Sequence, residues 1–573
     1  MKFIHVYNEK YFEGLVKNGF INEDTGFKIQ HAFSMEDHTK FNRIAAKDTK
    51  LYDLIKSGTH PFYVDRITGG ITYHKYDFDP ALIREYEDVL GKWFLGFQLH
   101  ETACNNRGTW QGLIQLMGGK PPYDAKLLRK LLTERSHAVT PDGVRLPALN
   151  HGTPEEYAAM RYAETPAEYA DEIFALFQKR MKDTHGFVLP CDSYYLLPKM
   201  ENELGMRTFM PEVGCQIPAT RMAVAATRGT AEANGKIWGT YYETWRWSDE
   251  EGNTMPCYNK EPGNEWNLKQ ENHGDDFTSF GPNGGSSRLL QRRIYYYSMM
   301  SGADYIAEEW GLNCSYSDMN TFELSPYGEV KKEFINDTRA FRGVKARVPM
   351  ALVLPTSYPC VEIHRIPEIG KHRAIYMGLP ITQEQQDYFG HIEDVLKMIY
   401  YVRTNPVEGN EAHIMTNTAF GDLFDIIYAD EKDATLAKYE YLIDASPDGA
   451  FAKAKSGQFK VLTSEDLSKL AVEIHRIEKE ILPITVDSLH WLLSDMPDGR
   501  RYLTIFNNEG NMRSIRYGDQ ICRDANARAK ITLKEAGEIR CIKRSSDEVR
   551  LEKVDDKTYY VDVPATGFVI LQY

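Results

Sequence analysis

The sequence has no run of about 18 consecutive apolar residues, so it offers no segment with the length of a membrane-spanning helix. It has no excess of positive charge either: 68 Lys and Arg stand against 82 Asp and Glu, a formal net charge of −14. Nucleic-acid and anionic-membrane partners both favour a basic surface, and this balance argues against each. The first residues, MKFIHVYNEKYF, lack the long apolar core of a signal peptide, which makes a cytoplasmic location the expectation. Cysteine is sparse and scattered, with eight residues at 104, 191, 215, 257, 314, 360, 522 and 541. None forms CxxC or sits at zinc-finger spacing, so the expectation is reduced thiols, with no metal and no other cofactor. Internal repeats and low-complexity linkers are also missing.

What is present is a globular composition, 42% apolar and 26% charged, in 573 residues, which is too long for one ordinary domain. Up to about residue 346, short apolar runs alternate with helical stretches. The runs are KFIHVYN (2–8), FKIQHAFS (27–34), PFYVDRI (61–67), WFLGFQLHE (93–101), FVLPCDSYY (187–195), RTFMPEVG (207–214), KIWGTYYETW (236–245) and ADYIAEEWG (303–311). Between them, PALIREYEDVLG opens on proline and closes on glycine, as helices do. Eight strand–helix units predict an α/β fold, a (β/α)8 TIM barrel over 1–346. A second pattern from RVPMALVLP onward predicts a small doubly wound α/β domain over 347–497, flavodoxin-like in type. Short alternating strands over 498–573 predict a C-terminal antiparallel β-domain, sandwich-like in type. Cys360 and His364 in SYPCVEIH lack the GxCxG turn of an amidotransferase nucleophile, so the second domain reads as non-catalytic.

In a barrel of this type the active site lies at the C-terminal ends of the strands. Four of these strands end in glutamate: Glu101, Glu212, Glu243 and the Glu308/Glu309 pair. Side chains alternate along a strand, and Glu309 shares a face with Tyr305 and Ala307, so Glu309 is the inward member. Asp192 ends the fifth strand. Several carboxylates on one rim, among 35 Tyr, 26 Phe and 8 Trp in the chain, suit glycoside cleavage. There one glutamic acid protonates the leaving oxygen and a glutamate attacks or stabilises the oxocarbenium-like centre. Glu101 ends strand four and Glu243 ends strand seven, on opposite sides of the barrel, so their side chains can face each other across a bound sugar. Tyr241 and Trp245 beside Glu243 read as a sugar platform or as core. Asp65 and Arg66 near the end of strand three read as hydroxyl ligands or as a rim ion pair. His31 and His100 read as hydroxyl ligands or as structural histidines.

The order of barrel, small α/β domain and β-domain resembles the family 42 β-galactosidases and related members of clan A of the glycoside hydrolases. SSRLLQRRIYYYSMMSGADYIAEEWG is similar to that family's last helix and strand eight, and ELSPYGEVKKEFINDTRAF to the segment after it. The resemblance implies Glu101 as acid/base and Glu243 as nucleophile, with Trp310 flooring the sugar site. Where the clan has Asn before its acid/base, this chain has His100. The resemblance further implies a retaining, exo-acting glycosidase acting on an oligosaccharide or glycoside. It also implies a homo-oligomer, a trimer, assembled through the second domain. Two other classes compete. A metal-dependent sugar isomerase or epimerase on the same barrel would draw ligands from Asp192, Glu212, Glu243 and His31, although no HxD or HxH pair ends a strand. A non-catalytic sugar-binding barrel is the third.

Overall fold

The computed structural model describes residues 1–9, 11–30, 41–42, 49–57, 60–69, 78–100, 102–103, 166–192, 194–214, 220–243, 287–309, 315–318, 320–358, 375–376, 379–380, 382–400, 414–514, 518–521 and 523–573. Eight strands form a nearly closed parallel barrel: β1 (Lys2–Val6), β2 (Thr25–Gln30), β3 (Phe62–Gly69), β4 (Phe94–His100), β5 (Val188–Cys191), β6 (Thr208–Phe209, resuming as Glu212–Gly214), β7 (Ile237–Glu243) and β8 (Tyr305–Glu308). The order around the wall is β5-β4-β3-β2-β1-β8-β7-β6, with parallel ladders throughout. All eight strands expected from the sequence are therefore present. Two departures from the expected extents bear on the site. The fifth ends at Cys191, well short of residue 195, because a turn and the helix opened by Pro198 follow it. The sixth is broken at Met210–Pro211, since proline has no N–H to give to a ladder; its carbonyl still accepts from the Tyr241 N–H at 3.0 Å. Across the seam between β5 and β6, the Glu212 N–H donates to the Asp192 carbonyl at 3.1 Å.

Alternation along the strands sorts the side chains into two layers. Ile4, Leu95, Leu189, Met210, Tyr305 and Ala307 fill the barrel interior. Phe3, Val188, Phe209, Trp238 and Ile306 face out against the helices. A side chain at position 239 would meet the Tyr305 ring at 2.3 Å, so only glycine lets that ring cross the lumen. The helices carry the punctuation read from the sequence. Asp79 accepts from the Ala81 N–H to cap α1 (Pro80–Leu90), and Gly91 ends it at φ +54. Ser287 caps α3 (Arg288–Met300) and Ser325 caps α4 (Pro326–Asp337), while α2 (Thr220–Asn234) leads from β6 to β7. No described helix is long and apolar enough to cross a membrane.

Beyond the barrel, a four-stranded parallel sheet runs in the order Phe424–Tyr428, Met350–Leu354, Tyr441–Asp444, Val461–Thr463. In chain order this is 2-1-3-4, the arrangement of a doubly wound sheet. Two antiparallel sheets follow, one built on His490–Asp495, Arg501–Phe506 and Phe568–Gln572, the other on Ala527–Leu533 and Thr558–Val563. The boundary expected near 497 falls in the turn of the hairpin that joins His490–Asp495 to Arg501–Phe506. Ile484–Val486 likewise pairs with Ala527–Leu533. Residues 484–495 thus belong with the antiparallel sheets, because their backbone partners lie there. One face of the first sheet, including Leu492, Phe506 and Ile570, shares a core with Tyr296 and Met299 of α3. Its other face, with Trp491, Leu503 and Val569, packs with Ile531 and Val561 of the second sheet.

The barrel and the parallel sheet are joined by buried charge. Arg221 at the start of α2 donates through Nε to Asp422 Oδ1 at 2.7 Å, and Arg228 through Nε to Asp425 Oδ1 at 2.7 Å. Asp422 Oδ2 also meets His490 Nε2 at 2.8 Å, and Asn508 Nδ2 meets His490 Nδ1 at 3.0 Å. Arg293 NH1 donates to Asn508 Oδ1 at 2.9 Å, which turns the Asn508 amide nitrogen toward the ring. His490 Nδ1 is therefore an acceptor, and the neutral Nε2–H tautomer donates to Asp422. Burial holds the His490 pKa down to about 4, although Asp422 pulls it up. An unfolded histidine takes its proton near pH 6.5. Between those values the unfolded chain binds a proton that the fold refuses, so stability falls as pH drops from about 6.5 to about 4. Urea midpoints should show this loss, on the order of 1–3 kcal/mol. His490→Gln should be less stable at neutral pH yet flatter across that window. An unchanged slope in the variant would remove His490 as the source.

Candidate active site at the barrel mouth

The strand ends bring a charged cluster into the top of the barrel. Lys28, on the inward face of β2, is wholly buried and pairs with Asp65 of β3, Nζ to Oδ2 at 2.9 Å. The same ammonium donates to the Glu308 carbonyl at 2.7 Å and the Glu309 carbonyl at 3.3 Å, and it lies 3.4 Å from the Tyr241 hydroxyl. Tyr241 in turn donates to Asp65 Oδ1 at 3.3 Å, and Lys28 sits 4.9 Å from its ring centroid. A lysine and an aspartate from neighbouring strands are thus bound to β8, which lies beyond β1, and to β7, which faces β3 across the lumen.

Above this layer lies a second. His100, the last residue of β4, places Nε2 3.4 Å from Glu212 Oε1 and 3.8 Å from Glu309 Oε1. Its ring meets the Tyr241 ring edge-on, with centroids 5.6 Å apart. Cys191 is the register partner of His100 in the β4–β5 ladder. The donor atoms of His100, Cys191 and Glu212 all lie within 4.8 Å of one another. Burial, reinforced by the Glu212 carboxylate, holds the Cys191 thiol well above its usual range, while a hydrogen bond with Gln98 works in the opposite sense. Glu308 points the other way, into the layer of helices. There Lys331 Nζ lies 2.5 Å from its Oε2, and the Tyr295 hydroxyl donates to its Oε1. Glu309 continues the β8 ladder, its N–H donating to the Tyr242 carbonyl at 2.9 Å.

Of the residues singled out in the sequence, the structure gathers His100, Glu212, Glu309, Tyr241 and Asp65. Asp192 lies just past β5, and its Oδ2 accepts from the Ala103 N–H at 2.7 Å, bracing the chain after β4. Glu243 is the last residue of β7 and the register partner of Gly214, with its side chain outside the described set. The Arg66 side chain, Glu101, His31, Trp245 and Trp310 also lie outside the described residues. Two inward residues escaped the sequence reading, Lys28 and Cys191. The signal for Lys28 was a lone cation inside the apolar run FKIQHAF. Cys191 was passed over for Asp192 because the strand end was placed too late.

No family model matches the chain, and no curated protein matches it. Among solved structures, an α-L-fucosidase isoenzyme 2 from Paenibacillus thiaminolyticus is similar at 10% identity and TM-score 0.43, over 99% of this chain and 96% of that one. The catalytic module of a family 98 glycoside hydrolase from Streptococcus pneumoniae is similar at 8% identity and TM-score 0.36, over 100% and 98%. A family 5 subfamily 18 (GH5_18) structure from Streptomyces cattleya, in complex with GlcNAc, is similar at 11% identity and TM-score 0.33, over 79% and 92%. None of the three is a family 42 β-galactosidase. Likenesses this distant carry no argument about chemistry, and the barrel rests on its own strand ladders.

The buried pair gives a direct test. Lys28→Met leaves Asp65 charged and buried beside an apolar chain, which should cost about 3–5 kcal/mol. Adding Asp65→Leu removes the stranded charge and should return most of that loss. Chemical denaturation reads both; equal instability of the single and double variants would show that the pair does not act as a unit.

Proposed function

We propose that the chain is a retaining glycoside hydrolase that cleaves a glycosidic bond by double displacement between two glutamates. It acts from the chain end of an oligosaccharide or glycoside. The observation that carries this reading is the meeting of β4 and β7 across the lumen, where His100 and Tyr241 touch. His100 directly precedes Glu101, and position 243 has the strand parity of Tyr241. The two candidate glutamates are therefore tethered to strand ends that converge. In this reading Glu243 attacks the anomeric carbon while Glu101 protonates the departing oxygen. Glu101 then draws a proton from water as that water breaks the glycosyl–enzyme bond. Glu212 and Glu309 offer acceptors to the sugar, and Tyr241 supports the layer beneath them.

A screen of aryl glycosides tests the activity, and hydrolysis of none would leave the sugar-binding alternative. With an active substrate, Glu243→Ala should abolish turnover, and azide should restore some activity as a glycosyl azide of inverted configuration. Glu101→Ala should still form the glycosyl–enzyme from substrates with good leaving groups, and azide should give product of retained configuration. Inverted azide product from Glu212→Ala instead would move the nucleophile to β6. The family resemblance supports, in addition, a homo-oligomer, a trimer in that family, assembled through residues from about 347 to 495; a monomer by light scattering at micromolar concentration removes that part of the reading.

A further inference from the structure

We infer that the barrel mouth holds a transition-metal ion of the zinc class, bound by His100 Nε2, Cys191 Sγ and Glu212. This rests on the geometry of the cup and not on the glycosidase reading.

The three donors come from three adjacent staves at one height. His100 and Cys191 are paired residues of the β4–β5 ladder, and Glu212 follows across the seam. Each of the three residues is about 1% exposed, so the ligand atoms are shielded from bulk water. Zinc takes imidazole, carboxylate and thiolate at about 2.0–2.3 Å in a tetrahedron, which puts neighbouring ligand atoms roughly 3.3–3.8 Å apart. His100 Nε2 to Glu212 Oε1 is 3.4 Å, and the donor atoms of all three residues lie within 4.8 Å of one another. The mixed nitrogen, sulfur and oxygen set selects a borderline-soft cation; Mg²⁺ and Ca²⁺ want oxygen alone.

Charge favours the same occupant. Glu212 and Glu309 face the imidazole of His100 in a buried site, and a thiolate at Cys191 would add a third negative charge. A dication offsets two of these. Binding releases the Cys191 proton to solvent and forms the metal–sulfur bond with no change of oxidation state. The ion also has a mechanical consequence. Between β5 and β6, where Pro211 interrupts the sixth strand, it ties β4, β5 and β6 together and so staples the barrel at its seam.

The test uses the full chain, stripped with a chelator and titrated with Co²⁺ as the probe. The inference expects one Co²⁺ per chain, a thiolate-to-cobalt charge-transfer band, displacement by Zn²⁺ but not by Mg²⁺, and a raised melting temperature. Cys191→Ser, checked for folding by circular dichroism, should lose the band and weaken binding by about 100-fold or more, since even outer-shell changes cost 10–100-fold. Glu212→Gln should keep the band and bind at least about tenfold more weakly. Absence of the band in the unmodified chain overturns the inference whatever the variants do. So does a band that survives Cys191→Ser, which would place the metal on another cysteine. Neither measurement involves turnover, so a failure here is separable from a failure of the glycosidase reading.

Discussion

The Lys28–Asp65 pair is the constraint on which the barrel's interior depends. Two fully buried charges carry a desolvation penalty of several kcal/mol each, and mutual attraction offsets it only where further hydrogen bonds complete the site. Here the completion comes from β8, whose Glu308 and Glu309 carbonyls accept from the same ammonium, and from Tyr241 on β7. Strands from opposite parts of the wall are thereby fixed at one height. The carbonyl bond at Glu309 matters most for the site, because it sets where β8 stops being wall and where the Glu309 side chain turns toward His100. An apolar layer would fill the same volume, but it would leave those two carbonyls to find other donors.

The stave with the weakest ladder is β6, broken at Pro211 and joined to β5 by the Glu212–Asp192 backbone bond. It is also the stave that carries Glu212. Its support comes from outside the barrel. The helix that follows it, α2, is held through Arg221 and Arg228 to Asp422 and Asp425, which flank and begin the parallel strand Phe424–Tyr428. Gly229 brings the two elements so close that a methyl group there would lie 2.9 Å from the Ile426 carbonyl. Burial tends to raise the Asp422 pKa, yet Arg221 and His490 together hold it well below the usual carboxylate range. The appended sheet therefore acts as a buttress behind the interrupted strand, which gives it a physical role whatever its part in assembly.

Much of the barrel was legible because alternation and punctuation are local. The eight apolar runs, the Asp79-Pro80 start and Gly91 stop of α1, and the opposite parities of Glu308 and Glu309 all follow from residue order alone. What escaped depends on pairing. Whether Cys191 or Asp192 finishes β5 is decided by the turn that begins at Tyr195, and that turn has no strong sequence mark. The place of residues 484–495 is decided by partners at 501–506 and 527–533. A strand's own sequence does not say which sheet it joins. Lys28 was visible as a lone cation in an apolar run, but its meaning required Asp65 on the next strand. That meaning also needed two carbonyls nearly three hundred residues away.

The charge of the cup bears on which sugars the proposed enzyme would accept. Among the described residues, Asp65, Glu212 and Glu309 face Lys28 and His100, and the ammonium is already committed to Asp65. A substrate carrying a carboxylate or phosphate at this level would bring another negative charge into a low-dielectric site that holds no uncommitted cationic side chain among those residues. A neutral polyol meets the opposite situation. Its hydroxyls donate, and the carboxylates accept. Selectivity for neutral sugars over charged ones would then arise as much from what the carboxylates repel as from what they hold.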